Sequence, residues 1–541
     1  MRSSVFILFA SVISWSTFCQ TMTIDIPKSK NILSENKGSE LARGFDTKLI
    51  KLDYGYALMN KITSYSGSST PQPVPFTVKM DNKRNITLAE RIALPTNNPK
   101  LKESYEFMGF RINPKQSYIL FKHYLNDGFS KIQLVAYFYL PGSSTVDYSR
   151  PIVIKEFDSS KRPIPSIGFY EDLKFGKCLI HQTDYANDQV EISIYNLSER
   201  IQPNPMPLRI VFRANRNIAS LLVKDFKTDI NGNYHLIYQE VKKSRGKGKT
   251  PIEEKYAQFY LFHNVSTKRT TISNLGDPDL PAKPNAQIGT DDKGNSYLFT
   301  IGNFENGAYN SESCLVIKFD KDGKLIKKVT FSIPYEDKFR YVKGNKKAFY
   351  KEKSSGILNT TSWKNKYEDI KFSISKDGST AAFIVKDASA SVGAESSIEF
   401  LYSSGFYFIG FKTSTLEVKN QTLGRNFGFQ KANIGEEYIF EGSNSIALLF
   451  YNNIKNFNPD GSQVDPSKIN GKLYSKPNEL GLYTWTLDSK LNFNTEQINN
   501  PKPTSILFLP PLKVTQNEYL LLISEDEKFR DFKFGMLNVK L

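Results

Sequence analysis

The sequence predicts an all-β chain folded as a single β-propeller, a closed ring of eight blades, with seven blades or two to three tandem β-sandwich domains as the alternatives. Three observations carry this expectation. A turn–strand–turn pattern recurs along the chain, the strands beside each turn alternate polar and apolar residues, and glycines stand where tight turns need them.

The clearest copy of the repeat runs from Ile288 to Phe331. There Asp291-Asp292-Lys293-Gly294-Asn295-Ser296-Tyr297-Leu298 is followed by Leu315-Val316-Ile317-Lys318-Phe319-Asp320-Lys321-Asp322-Gly323-Lys324-Leu325-Ile326. Gly294 and Gly323 can take the positive φ of a tight β-turn, and the neighbouring Asp and Asn side chains bond local backbone. Val316 and Lys318 on one side, Ile317 and Phe319 on the other, give a half-buried antiparallel hairpin.

From the N-terminus, Arg2 precedes an apolar run from Val5 to Ile13, and Thr17 with Cys19 offers a cleavage site. This order predicts a secretory signal over residues 1–19, with residues 20–541 as the propeller. Bulky Phe18 ahead of Cys19 argues against a lipid anchor there. Thr23-Ile24-Asp25-Ile26 reads as a strand that could complete the last blade. Closing hairpins follow at Phe76–Asp81 with Asn85–Leu88, at Leu134–Leu140 and at Val190–Leu197. Asp229-Ile230-Asn231-Gly232-Asn233-Tyr234-His235-Leu236 opens a second good copy, which continues through Phe259–Phe262 and Thr270–Ile272. A third opens at Ser375-Lys376-Asp377-Gly378, and hairpins recur at Phe406–Phe411, Leu482–Leu487 and Phe534–Leu541. The Ser/Gly/Pro-rich stretch Ser64–Pro75 and the Lys-rich stretch Lys343–Lys366 would be linkers in a tandem-domain chain and rim loops in a ring.

The Asp-x-x-Gly-Asn-x-Tyr pattern at Asp291–Tyr297, with its Lys318–Leu325 hairpin, resembles the repeats of secreted bacterial β-propellers of the SBBP and NHL type. Two copies match well and six are degenerate. The resemblance implies a ring that binds on a rim or at the central channel. Such rings host lyases, hydrolases and pure scaffolds, so function does not follow from it.

Cys178 and Cys314 remain after the leader, in runs that belong to non-adjacent blades, and are expected as buried thiols. The formal net charge of +17 makes an anionic polymer or surface a reasonable partner, although most lysines are spread along the chain. One dense run stands out, Lys242-Lys243-Ser244-Arg245-Gly246-Lys247-Gly248-Lys249, placed in a hairpin loop. No later stretch approaches the roughly 18 apolar residues of a membrane span, and no nucleic-acid partner is expected.

Reaction chemistry is thinly supplied. There is no Gly-x-Ser-x-Gly elbow. His123, His181, His235 and His263 share no spacing of about three to five residues, so none is expected to ligate a metal. The turns Asp320–Gly323 and Asn458–Gly461 look like calcium loops but lack the later carboxylates. Ser375–Thr380 looks like the Asp-box of sialidase propellers without its full pattern. Tyr137-Phe138-Tyr139 and Phe406-Tyr407-Phe408 could line a sugar platform, yet alternation turns half of each cluster inward. The expectation is an exported, non-catalytic binding or scaffold protein with an unknown protein or glycan partner, no cofactor and no assigned site residue. The alternatives are a carbohydrate-active enzyme using a pair of channel carboxylates and a component of an envelope assembly.

Overall fold

The computed structural model describes residues 22–25, 45–64, 72–83, 85–95, 104–111, 117–125, 131–158, 166–172, 176–184, 189–196, 206–214, 220–244, 253–275, 282–303, 311–334, 366–392, 399–429, 437–459, 461–464, 479–498, 506–515, 517–524 and 532–539. The expected leader at 1–19, the core of the basic run at 245–249, Asp460 and the Lys-rich stretch at 343–365 lie outside them.

Eight four-stranded antiparallel sheets form the blades of a β-propeller. The first strand, β1 (Met22–Asp25), stands apart from its sequence neighbours. Blade 1 is β2 (Phe45–Leu52), β3 (Gly55–Ser64), β4 (Gln72–Asp81) and β5 (Ile86–Arg91). Blade 2 is β6 (Ser104–Arg111), β7 (Ser117–Leu125), β8 (Lys131–Tyr139) and β9 (Ile152–Asp158). Blade 3 is β10 (Ser166–Asp172), β11 (Lys177–Asp184), β12 (Gln189–Asn196) and β13 (Leu208–Arg213). Blade 4 is β14 (Ser220–Thr228), β15 (Tyr234–Ser244), β16 (Glu253–Asn264) and β17 (Arg269–Asn274). Blade 5 is β18 (Ala282–Thr290), β19 (Ser296–Asn303), β20 (Ser311–Phe319) and β21 (Leu325–Pro334). Blade 6 is β22 (Lys366–Ile374), β23 (Thr380–Val392), β24 (Glu399–Lys412) and β25 (Val418–Phe429). Blade 7 is β26 (Tyr438–Glu441), β27 (Ile446–Asn453), β28 (Leu480–Leu487) and β29 (Phe493–Ile498). Blade 8 takes β30 (Ile506–Lys513), β31 (Glu518–Ser524) and β32 (Phe532–Val539), and β1 pairs antiparallel with β32, Met22 opposite Val539 and Asp25 opposite Met536. The first strand of each blade is innermost: β14 lies against both β10 and β18, and β2 against β30. A seven-bladed ring and tandem sandwiches are thereby excluded.

The eight hairpins read from the sequence fall on the third strand of each blade. Their alternation becomes two apolar faces, one toward each neighbouring blade. In β24, Phe406 and Phe408 join the cluster shared with Trp485 and Leu487 of blade 7, while Tyr407 and Ile409 join the cluster shared with Tyr297 and Phe299 of blade 5. Phe408 meets the Trp485 ring edge-to-face at 5.1 Å and 73°, and Phe299 stacks on Phe383 at 5.1 Å. Tyr137 and Tyr139 are buried, with Phe138 half outside. Fully burying one such side chain contributes about 1.5–3 kcal/mol, so the seams between blades hold the ring. Cys178 and Cys314, in blades 3 and 5, are buried and are not joined in a disulfide.

The two rims differ. One carries the turns between first and second and between third and fourth strands, closed by Asp side chains: Asp291 Oδ1 accepts from Lys293 N (2.9 Å) and Asn295 N (2.8 Å), and Oδ2 from Asn295 Nδ2 (2.8 Å). Asp229 and Asp488 repeat all three bonds and Asp320 the two to backbone N–H groups. Neighbouring turns also fasten one another, since Lys376 N and Asp377 N each donate at 2.9 Å to carbonyls of Gly442 and Ser443 in the next blade. At the opposite rim β21 ends at Pro334 and β27 at Asn453, and the two longest intervals between consecutive strands in sequence follow them. Among the described residues the one helix is the 3-10 turn Ile454–Asn456, and no helix is long and apolar enough to cross a membrane.

Candidate functional site

A ring of this kind offers two places for chemistry, the inner strands around its axis and the rim of long loops. The inner strands carry charged residues that sequence reasoning missed. Asp225 stands on β14 beside a bulge at Lys224. Its Oδ2 accepts from Gln287 Nε2 and from Ile288 N of β18, both at 2.7 Å, and its Oδ1 accepts from Phe226 N at 2.9 Å. Asp225 therefore fastens the inner strands of blades 4 and 5. Burial pushes the Lys224 ammonium below its ordinary pKa.

Glu437, just ahead of β26, does the same for blades 6 and 7. Its Oε1 lies 2.8 Å from Lys371 Nζ and its Oε2 lies 2.9 Å from Lys386 Nζ, with the Glu437 and Lys386 side chains 2% and 7% exposed. A carboxylate between two ammoniums has the opposite charges beside it that the burial of an ion requires. A glycosidase pair needs one carboxyl free to give up a proton and a second free to face the sugar. Asp225 and Glu437 are both occupied in joining blades.

His123 and His181 stand in blades 2 and 3, while His235 and His263 are on adjacent strands of blade 4, opposite Phe262 and Tyr234, so that they point to opposite faces of the sheet. His235 is fully buried; its Nε2 stands 3.2 Å from Asp229 Oδ2 and its Nδ1 2.7 Å from Tyr260 Oη, which in turn lies 2.8 Å from Ser296 Oγ in blade 5. Asp229 is held below the usual carboxylate range by its bonds to His235 and Asn233, against the opposing effect of burial. His263 Nδ1 pairs with Thr270 Oγ1 at 2.8 Å, and His123 stacks on Tyr105 with ring centroids 4.1 Å apart. His181 is buried against Tyr170, and desolvation lowers its pKa to about 4. Among the described residues no group of three or more His, Cys, Asp or Glu side chains is placed to hold a metal ion.

The Asp-rich turns are consumed by their own backbones, as the bonds to Asp320 show. In the Asp-box-like segment, Asp377 Oδ1 accepts from Ser375 Oγ (2.6 Å) and Ser379 N (2.9 Å), again closing a turn.

The long-loop rim is where the basic run emerges. Lys242, Lys243 and Ser244 end β15, in register with Lys255, Glu254 and Glu253 of β16. The described part of the run, Lys242–Ser244, thus lies at the end of the β15–β16 pair on that rim.

No family model matches the chain, and no curated protein does. Solved structures similar to it include a protein from Lactobacillus plantarum, at 8% identity over 82% of this chain and 96% of that one with a TM-score of 0.34. The α-L-arabinanase of Penicillium chrysogenum is similar at 12% identity over 73% and 99%, TM-score 0.32. The β-propeller domain of the Trilobed protease of Pyrococcus furiosus is similar at 10% identity over 67% and 80%, TM-score 0.27.

Proposed function

We propose that the chain is an exported, non-catalytic binding scaffold that recognises an anionic partner on its long-loop rim. The observation that carries this reading is the contrast between the rims. On one, turn carboxylates are closed on their own backbones and adjacent turns bond to each other. On the other, β15 ends at Ser244, β21 at Pro334 and β27 at Asn453, each followed in sequence by a long interval, the first of them holding the rest of the basic run. Loops on a rigid frame are where recognition concentrates, and clustered Lys and Arg bind polyanions through released counterions, giving a salt-dependent affinity. The apolar leader at residues 1–19 supports export. Against the carbohydrate-active alternative stands the engagement of Asp225 and Glu437 with their partners.

The test is retention of the purified chain on a heparin or dextran-sulfate matrix in a salt gradient, beside a variant with residues 242–249 replaced by Ser and Gly. The expected result is earlier elution of the variant with an unchanged unfolding midpoint. Equal elution of the two proteins overturns the proposal, and a rise in midpoint with a neutral oligosaccharide would instead favour the carbohydrate reading.

A further inference from the structure

The seam between blades 4 and 5 is apolar near the short-turn rim, where Ile237, Tyr260, Phe262, Leu298, Ile317 and Phe319 share one cluster, with Leu315 next on β20 opposite Thr300. One step along each strand toward the long-loop rim its character changes. Gln239 lies two residues beyond Ile237, Gln258 two before Tyr260 and Thr300 two beyond Leu298, so all three stand on the faces that meet in this seam. Gln239 and Gln258 are directly opposite in register, and Thr300 is opposite Ala286, the smallest side chain of the cluster. Gln239 and Thr300 are 0% exposed and Gln258 4%. Yet Gln258 Oε1, Gln258 Nε2 and Thr300 Oγ1 are buried without a hydrogen-bond partner in the protein.

A buried amide left unbonded costs about 1–3 kcal/mol, and native seams do not carry several such atoms side by side. We infer that this part of the seam is a binding site for ordered water, bridging Gln258 to Thr300 beside Gln239. The chemistry selects the guest. The seam offers amides and a hydroxyl, donors and acceptors without net charge. Asp225, the carboxylate that joins the inner strands of these two blades, already accepts from Gln287, Ile288 and Phe226. A charged guest would meet no counter-charge, whereas water needs about two to four polar partners, and Gln258 and Thr300 supply three atoms.

Two measurements on the full chain test the site. A high-resolution crystal structure should show solvent density within about 2.6–3.2 Å of the Gln258 amide and the Thr300 hydroxyl; a dry seam in which that amide bonds directly to Gln239 or Thr300 overturns the inference. The second measurement is the sign of a stability change. Thr300→Val keeps shape and removes a water partner, so the unfolding midpoint should fall, and Gln258→Met should behave likewise. The double variant should lose less than the sum of the two, because the bridge is broken once. In a dry seam the same substitutions would relieve unbonded polar atoms, and a midpoint that rises or stays level, or losses that simply add, sinks the water site.

Discussion

Tyr260 Oη lies 2.8 Å from Ser296 Oγ, and this contact carries the buried polar chain Asp229–His235–Tyr260 out of blade 4 and into blade 5. Removing the hydroxyl leaves both His235 Nδ1 and Ser296 Oγ without that partner in the dry interior. Tyr260→Phe is expected to cost about 1–3 kcal/mol, measured by denaturant unfolding. Ser296→Ala should cost less, and the two losses should be non-additive, since both break one bond.

His181 makes acid stability measurable. Its folded pKa is lowered to about 4 by burial, against an ordinary 6.5. The unfolded chain therefore takes up a proton at this residue first, so the contribution is complete above about 6.5 and is lost as pH falls toward about 4. At about 1.4 kcal/mol per pKa unit the full effect is about 3 kcal/mol. His181→Phe should flatten this part of the profile. The check is the wild-type minus variant difference between pH 7 and pH 4; an unchanged difference would count against the assignment.

Glu437 joins a charge cluster in which it and Lys386 are buried and Lys371 is half-buried. Glu437→Leu leaves Lys371 and Lys386 facing each other without their shared carboxylate, and the expected loss is about 3–5 kcal/mol. Lys386→Met should cost less, because Lys371 still pairs with Glu437 at 2.8 Å. Unfolding of the two variants in parallel gives the order.

Gly289 sits where a Cβ would stand 2.3 Å from the Phe372 ring of the next blade. Gly289→Ala is expected to destabilise by about 1–3 kcal/mol through overpacking. Phe372→Leu in the same chain should recover part of it, which a thermal melt of the double variant would show.

Deleting residues 22–25 removes the outer strand of blade 8 and bares the edge of β32. The unfolding midpoint is expected to fall and self-association to rise, both readable in a melt followed by light scattering.

The architecture was legible because its signals are local. Asp, Gly and Asn mark the opening turns of the two good copies, Asp229–Asn233 and Asp291–Asn295, within five residues, and alternation marks the strands beside them. The degenerate copies have physical reasons: in blade 7 the turn after Asp488 uses Leu491 at φ 60° in place of a glycine, with its side chain buried beside Trp485. The charged fasteners were not legible, since Asp225 meets Gln287 and Glu437 meets Lys371 across more than sixty residues and two separate blades. A carboxylate in a strand-like run gives no sign of which distant amide or ammonium will meet it. Likewise Gln239 and Gln258 look like ordinary polar strand residues until the next blade covers them.

Met22 stands opposite Val539 at the short-turn end of blade 8, with the connection to blade 1 leaving from the other end of β1. Any tether, tag or fused module attached ahead of residue 22 or behind residue 539 would depart from one corner of the ring, on the side turned away from the long loops. A molecule held by either end would thus present its long-loop face outward, and both ends could be immobilised together without strain across the ring.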